Sequence, residues 1–224
     1  TYVPNGATTG LRGAAPVMNS ADADAGLSLA GSAPSAFVQG AMPASSLAGD
    51  WTIEAWFTRR SIQQWSAIFS NNNGGNEAPL MTFQDSTNNL GIMDAGVNAA
   101  GIFVDLGADS LNRPVYAVIT KTGGNAAGSN TITVTAYVDG RKLTATGSTY
   151  WNLQTYGNYF IGRHYSGATQ VLDGVIDEVA VYSQALSASE IESHYRAGVS
   201  AKQLAVAVTG FAGIEPYPVT LATP

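Results

Sequence analysis

The sequence predicts an all-β protein, a sandwich of two antiparallel sheets with one short helix near the C-terminus. Runs rich in Thr, Val and Tyr recur along the 224 residues, and stretches with Asn and Gly separate them. Charged residues make up only 12% of the chain, and Gly occupies 25 positions. Short strands separated by turn residues in this way are typical of a β-sandwich, and a single domain of this size is common in that class.

Strand candidates follow one another over most of the chain. They are expected at residues 27–30, 35–39, 51–59, 65–70, 79–84, 89–93, 101–106, 114–122, 130–138, 141–147, 158–163 and 174–182. Between two of them, Asp139-Gly140 predicts a two-residue hairpin turn. Trp51 and Trp56 fall within a strong strand pattern and are expected in the core.

The last expected strand carries apolar residues in strand period. Val175, Val179 and Val181 alternate there with Ile176, Glu178 and Ala180. A strand with this pattern turns one row of side chains towards the core.

A helix follows, and its start is well marked. Ser187 and Glu190 have the spacing of a capping box, in which each residue satisfies a backbone N–H group of the other. Gly198 is expected to end the helix as a left-handed C-cap residue. Residues 199–210 then predict an added strand.

The stretch from Gly174 to Ile191 resembles the closing segment of laminin G-like domains, which belong to the concanavalin A-like lectin/glucanase superfamily. Further matches lie at Gly26–Val38, Trp51–Phe57, Tyr137–Arg141 and Phe160–Arg163. The resemblance covers residues 25–198 and implies a jelly-roll sandwich. It leaves function open, because folds of this kind host lectins, adhesion modules, enzymes and structural proteins.

Two flanking segments complete the expected domain organisation. Residues 1–24 are rich in Gly, Pro and Ala without a sustained period, which predicts an extended arm before the sandwich of residues 25–198. Residues 199–224 are expected to hold the added strand and a Pro-rich tail.

Composition excludes several partners. The net charge of −6 and a pI near 4.7 disfavour nucleic acid and anionic membranes, since no cluster of Lys or Arg offsets them locally. No apolar run approaches the roughly 20 residues of a membrane span. The chain has no Cys, so neither disulfides nor thiolate metal sites are expected.

Catalytic patterns are missing from the sequence, so we expect no enzyme. There is no HExxH, GxSxG or phosphate-binding glycine loop, and His164 and His194 are the only histidines. Glucanases of the resembling superfamily carry an E-x-D-x-E strand that places two carboxylates at one glycosidic bond. Glu54 stands alone here, and Asp177 and Glu178 are adjacent, which in a strand points them to opposite faces.

Asp177 is the candidate metal ligand. The resemblance implies a structural calcium at this position, completed by backbone carbonyls and water, and such hard oxygen donors suit Ca²⁺. The alternative is that Asp177 accepts hydrogen bonds from the backbone of a neighbouring loop. Many relatives have an aspartate where Ala30 stands here, so one expected ligand is missing.

Aromatic and amide side chains near loops form the candidate ligand site. An aromatic face packs against the C–H face of a pyranose, while amides and carboxylates take its hydroxyl groups. His164 either contacts the ligand or is a rim histidine without a role. The candidate ligand-binding residues are Trp65, Tyr150, Trp151, Asn152, Tyr156, His164 and Tyr165.

These features predict a non-catalytic recognition or adhesion module that binds glycan or a protein surface outside a cell or on a particle. The alternative is a virion structural protein, a phage capsid decoration, tail or fibre component. In that case residues 1–24 and 203–224 would contact neighbouring subunits. The irregular ends of the chain motivate the alternative.

Overall fold

The computed structural model describes residues 3–4, 26–31, 37–72, 77–95, 100–123, 131–150, 157–164 and 170–209. Within these ranges the chain forms two antiparallel β-sheets packed face to face and one α-helix. The predicted all-β sandwich is therefore confirmed.

One sheet has seven strands within the described residues. They are β1 (Val3–Pro4), β3 (Val38–Ala41), β5 (Ala67–Asn72), β6 (Glu77–Phe83), β7 (Asn89–Ala95), β8 (Ala100–Asp105) and β12 (Asn158–Ile161). Their order across the sheet is β1-β3-β12-β5-β6-β7-β8. The first of these strands lies in the expected N-terminal arm, where Val3 pairs with Gln39 and Pro4 with Val38.

The other sheet has six strands. They are β2 (Leu27–Leu29), β4 (Trp51–Arg59), β9 (Pro114–Thr122), β10 (Thr131–Val138), β11 (Arg141–Tyr150) and β13 (Gly174–Tyr182). Their order is β11-β10-β9-β4-β13-β2. Each strand expected between residues 27 and 182 overlaps one observed strand, because short-range alternation and turn residues mark these boundaries locally.

The main core lies between the two sheets. Strand β4 shows how it is built, since alternate residues such as Trp51 and Phe57 are fully buried against the seven-stranded sheet. Trp56 is 6% exposed and packs on the opposite face of β4, in a second cluster with Tyr116 and Ile191. Both tryptophans are thus buried as predicted, but in different layers.

The predicted hairpin turn between β10 and β11 is confirmed. Asp139 has φ of 50° and Gly140 has φ of 75°, the left-handed pair that a type I′ turn requires. The Asp139 carboxylate also accepts the Tyr116 backbone N–H at 3.0 Å and pairs with Arg113 at 3.0 Å.

The predicted strand is present as β13, but a bulge interrupts its regular period. The pairing of β13 with β4 shifts register between Asp177 and Ala180, and Glu178 takes a φ of 48°. This bulge adds a residue to the strand, so the faces exchange. Val175 packs in the cluster under the helix, whereas Val179 packs against the inter-sheet core.

The helix α1 (Ala188–Thr209) begins as predicted. The Ser187 backbone N–H donates to Glu190 Oε2 at 2.7 Å, and the Glu190 N–H donates to Ser187 Oγ at 3.3 Å. The hydrogen bonds from Ser187 also lower the pKa of the Glu190 carboxyl group.

The end of the helix differs from the prediction. Gly198 does not end α1, and residues 199–209 continue the helix instead of forming an added strand. Ala, Leu, Lys and Gln in this stretch are strong helix formers, and no Pro interrupts them before residue 209. Gly198 serves packing, since a Cβ atom there would lie 2.6 Å from Trp56 Cζ2.

Within the described part of the chain, no helix is both long enough and apolar enough to cross a membrane.

Candidate functional site

The outer face of the seven-stranded sheet carries a cluster of partly exposed aromatic side chains. Strand alternation separates this face from the core, because Met81 packs between the sheets while its neighbour Leu80 packs outside them. The helix α1 lies on the outer face of the six-stranded sheet. No α-helix covers the outer face of the seven-stranded sheet within the described ranges.

Trp65 and Phe103 form one aromatic pair on this face. Their ring centroids lie 6.3 Å apart at an interplanar angle of 67°. Both rings pack against a small cluster of Ala67, Leu80 and Met93. The pair therefore has a fixed base in the sheet.

The backbone around Trp65 is held in place. Trp65 has φ of 49°, a left-handed conformation that costs about 1 kcal/mol or more for a residue with a side chain. The Thr82 hydroxyl lies 3.2 Å from the Trp65 carbonyl and donates to the Ser66 carbonyl at 3.0 Å. Strain of this kind, held by neighbouring strands, is frequent at ligand sites.

The loop before Trp65 is also tied to the sandwich. The Asp173 carboxylate binds Arg60 at 3.0 Å and accepts the Ser61 hydroxyl at 2.5 Å. Gln63 Nε2 donates to Ser61 Oγ at 3.0 Å. These contacts fix the loop that leads from β4 to β5.

Phe37, Phe160 and Arg163 form a second group on the same face. Phe37 and Phe160 have ring centroids 5.5 Å apart. The guanidinium carbon of Arg163 lies 4.6 Å from the Phe37 ring centroid, within the range of a cation–π contact. Phe160 alternates with Tyr159 and Ile161, which pack against the inter-sheet core.

Sheet pairing brings the two groups together. The Gly162 backbone N–H donates to the Ile68 carbonyl at 2.9 Å, which continues the antiparallel pairing of β12 with β5. This bond places Gly162 beside Ile68 on β5, the strand that follows Trp65 in the chain, so Arg163 lies towards the same end of the sheet as Trp65. We call this arrangement the outer-face site, made of Trp65, Phe103, Phe37, Phe160 and Arg163.

Small residues form the floor of the outer-face site. Ala67 and Ser70 on β5 are fully buried, and Gly91 on β7 lies beneath Phe103. A Cβ atom at Gly91 would come within 2.6 Å of the Phe103 ring and 2.1 Å of the Ile102 carbonyl. Ala67 and Ser70 are fully buried, so a ligand would contact the partly exposed rings on this face and not the floor itself.

His164, a predicted ligand residue, lies at this end of β12 but is only 8% exposed. Its backbone N–H donates to the Gln170 carbonyl at 3.1 Å, and its own carbonyl accepts Arg163 Nε at 3.2 Å. Its clearest role is to position Arg163.

The other predicted ligand residues are not brought together by what the structure describes. Trp151, Asn152, Tyr156 and Tyr165 lie outside the described residues, and only the backbone of Tyr150 is described, paired with Thr131.

The sequence indicated that Glu54 is an isolated carboxylate. In the structure it has several side-chain partners. It is 7% exposed, and its carboxylate accepts the Tyr116 hydroxyl at 2.6 Å and the Tyr182 hydroxyl at 2.8 Å. His194 Nδ1 lies 3.1 Å from the same carboxylate. Burial and the hydrogen bond to Glu54 raise the pKa of Tyr116, and they raise the pKa of Tyr182 to about 12.

The cluster around Glu54 lies between β4 and α1, because His194 belongs to the helix. Its carboxylate is held by three side chains and is not presented to an open cleft. This geometry anchors the helix to the sheet and does not match the pair of carboxylates that glycoside hydrolysis requires.

Asp177 lies at the bulge of β13. Its Oδ1 accepts the Glu178 backbone N–H at 3.1 Å, so one carboxylate oxygen already has a local partner. Among the described residues, no group of three His, Cys, Asp or Glu side chains is placed to hold a metal ion. A calcium ion here would take most of its ligands from carbonyl groups and water.

Sequence reasoning found Trp65 but missed four residues of the outer-face site. Phe103, Phe37, Phe160 and Arg163 lie on three different segments, and their placement on one sheet face follows from the strand order, in which three strands separate β12 from β8. The available signal was alternation within each strand, which shows that Phe160 and Phe103 face away from their core-facing neighbours. It does not show which strands are adjacent.

Solved structures with the same fold include carbohydrate-bound proteins. Domain 4 of AbnA, an extracellular GH43 arabinanase from Geobacillus stearothermophilus in complex with arabinotriose, aligns with a TM-score of 0.54 at 12% identity, covering 75% of each chain. The botulinum neurotoxin type G receptor-binding domain aligns with a TM-score of 0.54 at 13% identity, covering 73% of this chain and 40% of the other.

A sialidase shares the fold over part of its length. Trypanosoma rangeli sialidase in complex with sialic acid aligns with a TM-score of 0.54 at 17% identity, covering 76% of this chain and 27% of the sialidase. At such low identity these likenesses show the fold alone. No curated protein matches the sequence.

The family is shown by a sequence-based family model. A laminin G model, described as the concanavalin A-like lectin/glucanases superfamily, matches residues 35–192, which is most of the chain. These residues run from the start of the seven-stranded sheet to the first turn of α1. The chain belongs to the laminin G-like family of the concanavalin A-like lectin/glucanases superfamily.

Proposed function

We propose that this protein is a non-catalytic module that binds glycans outside a cell or on a particle surface. The observation that carries the proposal is the outer-face site, where the partly exposed rings of Trp65, Phe103 and Phe160 lie on a sheet face without an α-helix in the described part of the chain. The carbohydrates bound by the arabinanase domain and the sialidase support the choice of ligand class.

The chemistry of the outer-face site suits a sugar. The partly exposed rings of Trp65 and Phe160 offer apolar faces for the C–H groups of a pyranose. Arg163 supplies hydrogen-bond donors at the edge of the floor. A shallow site of this kind stacks one or two rings, so we expect modest affinity for a short oligosaccharide.

A glycan array followed by titration calorimetry tests the proposal. We expect saturable binding that Trp65→Ala weakens about tenfold, because loss of a ring contact of about 1.4 kcal/mol corresponds to that factor. Trp65→Phe keeps an aromatic ring and should lose less. Ile62→Ala is the matched control, since Ile62 lies in the same loop and is 39% exposed but does not belong to the site.

Two outcomes contradict the proposal in different ways. Absence of binding to any glycan would refute the function itself. Binding that survives Trp65→Ala but is lost in Trp151→Ala would keep the function and move the site to the segment after β11, where the sequence alone predicts it.

A further inference from the structure

The arginines of the described residues differ in how their guanidinium groups are engaged. Most place their terminal nitrogens on protein acceptors: Arg59 on Thr87 and Asn88, Arg60 on Asp173, Arg113 on Asp139, and Arg196 on Glu192. Arg163 does not.

Arg163 is held in place through other atoms. Its Nε donates to the His164 carbonyl at 3.2 Å, and its guanidinium carbon lies 4.6 Å from the Phe37 ring centroid. These contacts orient the group and leave both terminal nitrogens without a protein acceptor among the described residues. The side chain is partly exposed to solvent.

An oriented guanidinium with two unused terminal nitrogens is a receptor for a planar anion. The two parallel N–H groups match the two oxygens of a carboxylate, and such charge-assisted bonds are about twice as strong as neutral ones. Because Phe37 and His164 already fix the side chain, little additional rotamer entropy is lost on binding.

The surroundings of Arg163 favour binding of an anionic ligand over an ion pair with a carboxylate of the protein itself. Asp173, an acidic residue at the same end of the sandwich, has one carboxylate oxygen bound by Arg60 and the other by Ser61. The net charge of −6 repels anions at long range. Physiological salt screens charges beyond about 8 Å, so the local guanidinium decides the preference.

We propose that the glycan taken by the outer-face site carries a carboxylate, as hexuronic and sialic acids do, and that Arg163 binds this carboxylate while the sugar ring stacks on the neighbouring aromatic residues. The inference rests on the proposed glycan-binding function and deepens it by naming the ligand class.

The test compares acidic glycans with their carboxyl-reduced counterparts, which differ only in a hydroxymethyl group at the carboxylate position. One arm uses hexuronic acid oligosaccharides and the other uses sialylated oligosaccharides, each measured by titration calorimetry on the full chain. We expect the acidic form to bind about tenfold more tightly in at least one arm, and this preference to shrink as NaCl is raised.

Substitutions assign the preference to Arg163. Arg163→Gln should abolish the preference for the acidic form, and Arg163→Lys should retain part of that preference, because lysine keeps the positive charge but lacks the paired N–H groups of the guanidinium. Arg141→Gln is the matched control, as it removes an equal charge from an exposed arginine on β11. Thermal melts of each variant check that folding is preserved.

The outcomes separate the two proposals. If acidic and reduced sugars bind alike and both depend on Trp65, glycan binding stands and the carboxylate preference is overturned. A preference that persists unchanged in Arg163→Gln also overturns the assignment. If no glycan of either kind binds, both proposals fail.

Discussion

At the scale of single residues, position in the fold decides roles that residue type leaves open. Glu54 and Asp177 are both carboxylates in strands, yet Glu54 is enclosed by two tyrosines and a histidine while Asp177 lies at a bulge. Gly198 has the residue type of a helix end but sits inside a helix. In each case a contact from a distant segment determines the outcome.

Gly198→Ala tests the packing role of this glycine. Alanine would favour the helix by about 1 kcal/mol, but its Cβ would lie 2.6 Å from the Trp56 indole, which is stacked against Tyr195 at 5.8 Å. Overpacking of this kind costs about 1–3 kcal/mol, so we expect net destabilisation in urea unfolding. Gly49→Ala, which adds a Cβ with no atom within 4 Å, should change little. A more stable Gly198→Ala variant would contradict the packing role.

At the scale of elements, the bulge in β13 sets which side chains face each layer. It turns Val175 towards α1 and Val179 towards the inter-sheet core. It also places Asp177 where the proposed calcium ion would bind. Asp177 could bind calcium or accept hydrogen bonds from the backbone of a neighbouring loop, and both roles depend on the bulge in β13.

Chelation tests the proposed calcium site. If Asp177 binds calcium, dialysis against a chelator should lower the Tm by roughly 5–10 °C, the shift expected when a ligand at about 100 times its Kd is removed. Added CaCl₂ should restore the Tm in the wild-type protein and in Asp85→Asn, which changes an exposed turn carboxylate, but not in Asp177→Asn. An unchanged Tm, with no metal found by elemental analysis, would rule the site out.

At the scale of the whole molecule, α1 is fastened to the six-stranded sheet by an apolar cluster and by the hydrogen bonds on Glu54. Trp56, Tyr116 and Ile191 form the centre of that cluster. In the described part of the chain, no α-helix lies on the outer face of the seven-stranded sheet. The alternative role in a virion stays a prediction, since most of residues 1–24 and 210–224 lie outside the described ranges.

Alkaline pH should weaken the contribution of the Tyr182–Glu54 hydrogen bond to stability. The pKa of Tyr182 is raised from 10.0 to about 12 in the folded protein, so the fold favours the protonated hydroxyl. Its contribution to stability is complete below pH 10 and is lost as pH rises towards about 12. Urea unfolding across this range should show a steeper loss in the wild-type protein than in Tyr182→Phe.

Tyr159→Phe serves as the control for this pH dependence, because Tyr159 packs against the inter-sheet core and makes no bond to Glu54. At neutral pH Tyr182→Phe should itself cost about 1–2 kcal/mol, as it removes a hydrogen bond to a buried carboxylate. Parallel pH profiles for the wild-type protein and Tyr182→Phe would contradict the assignment.

The sequence by itself determined the strands, the Asp139-Gly140 turn and the Ser187–Glu190 cap, because these depend on alternation and on interactions within a few residues. Tertiary structure alone decided the length of α1, the bulge in β13, the partners of Glu54 and the outer-face site. Each of these depends on which strands and layers are adjacent. Trp65 and Arg163 are far apart in the chain and lie towards the same end of the sheet because β12 pairs with β5.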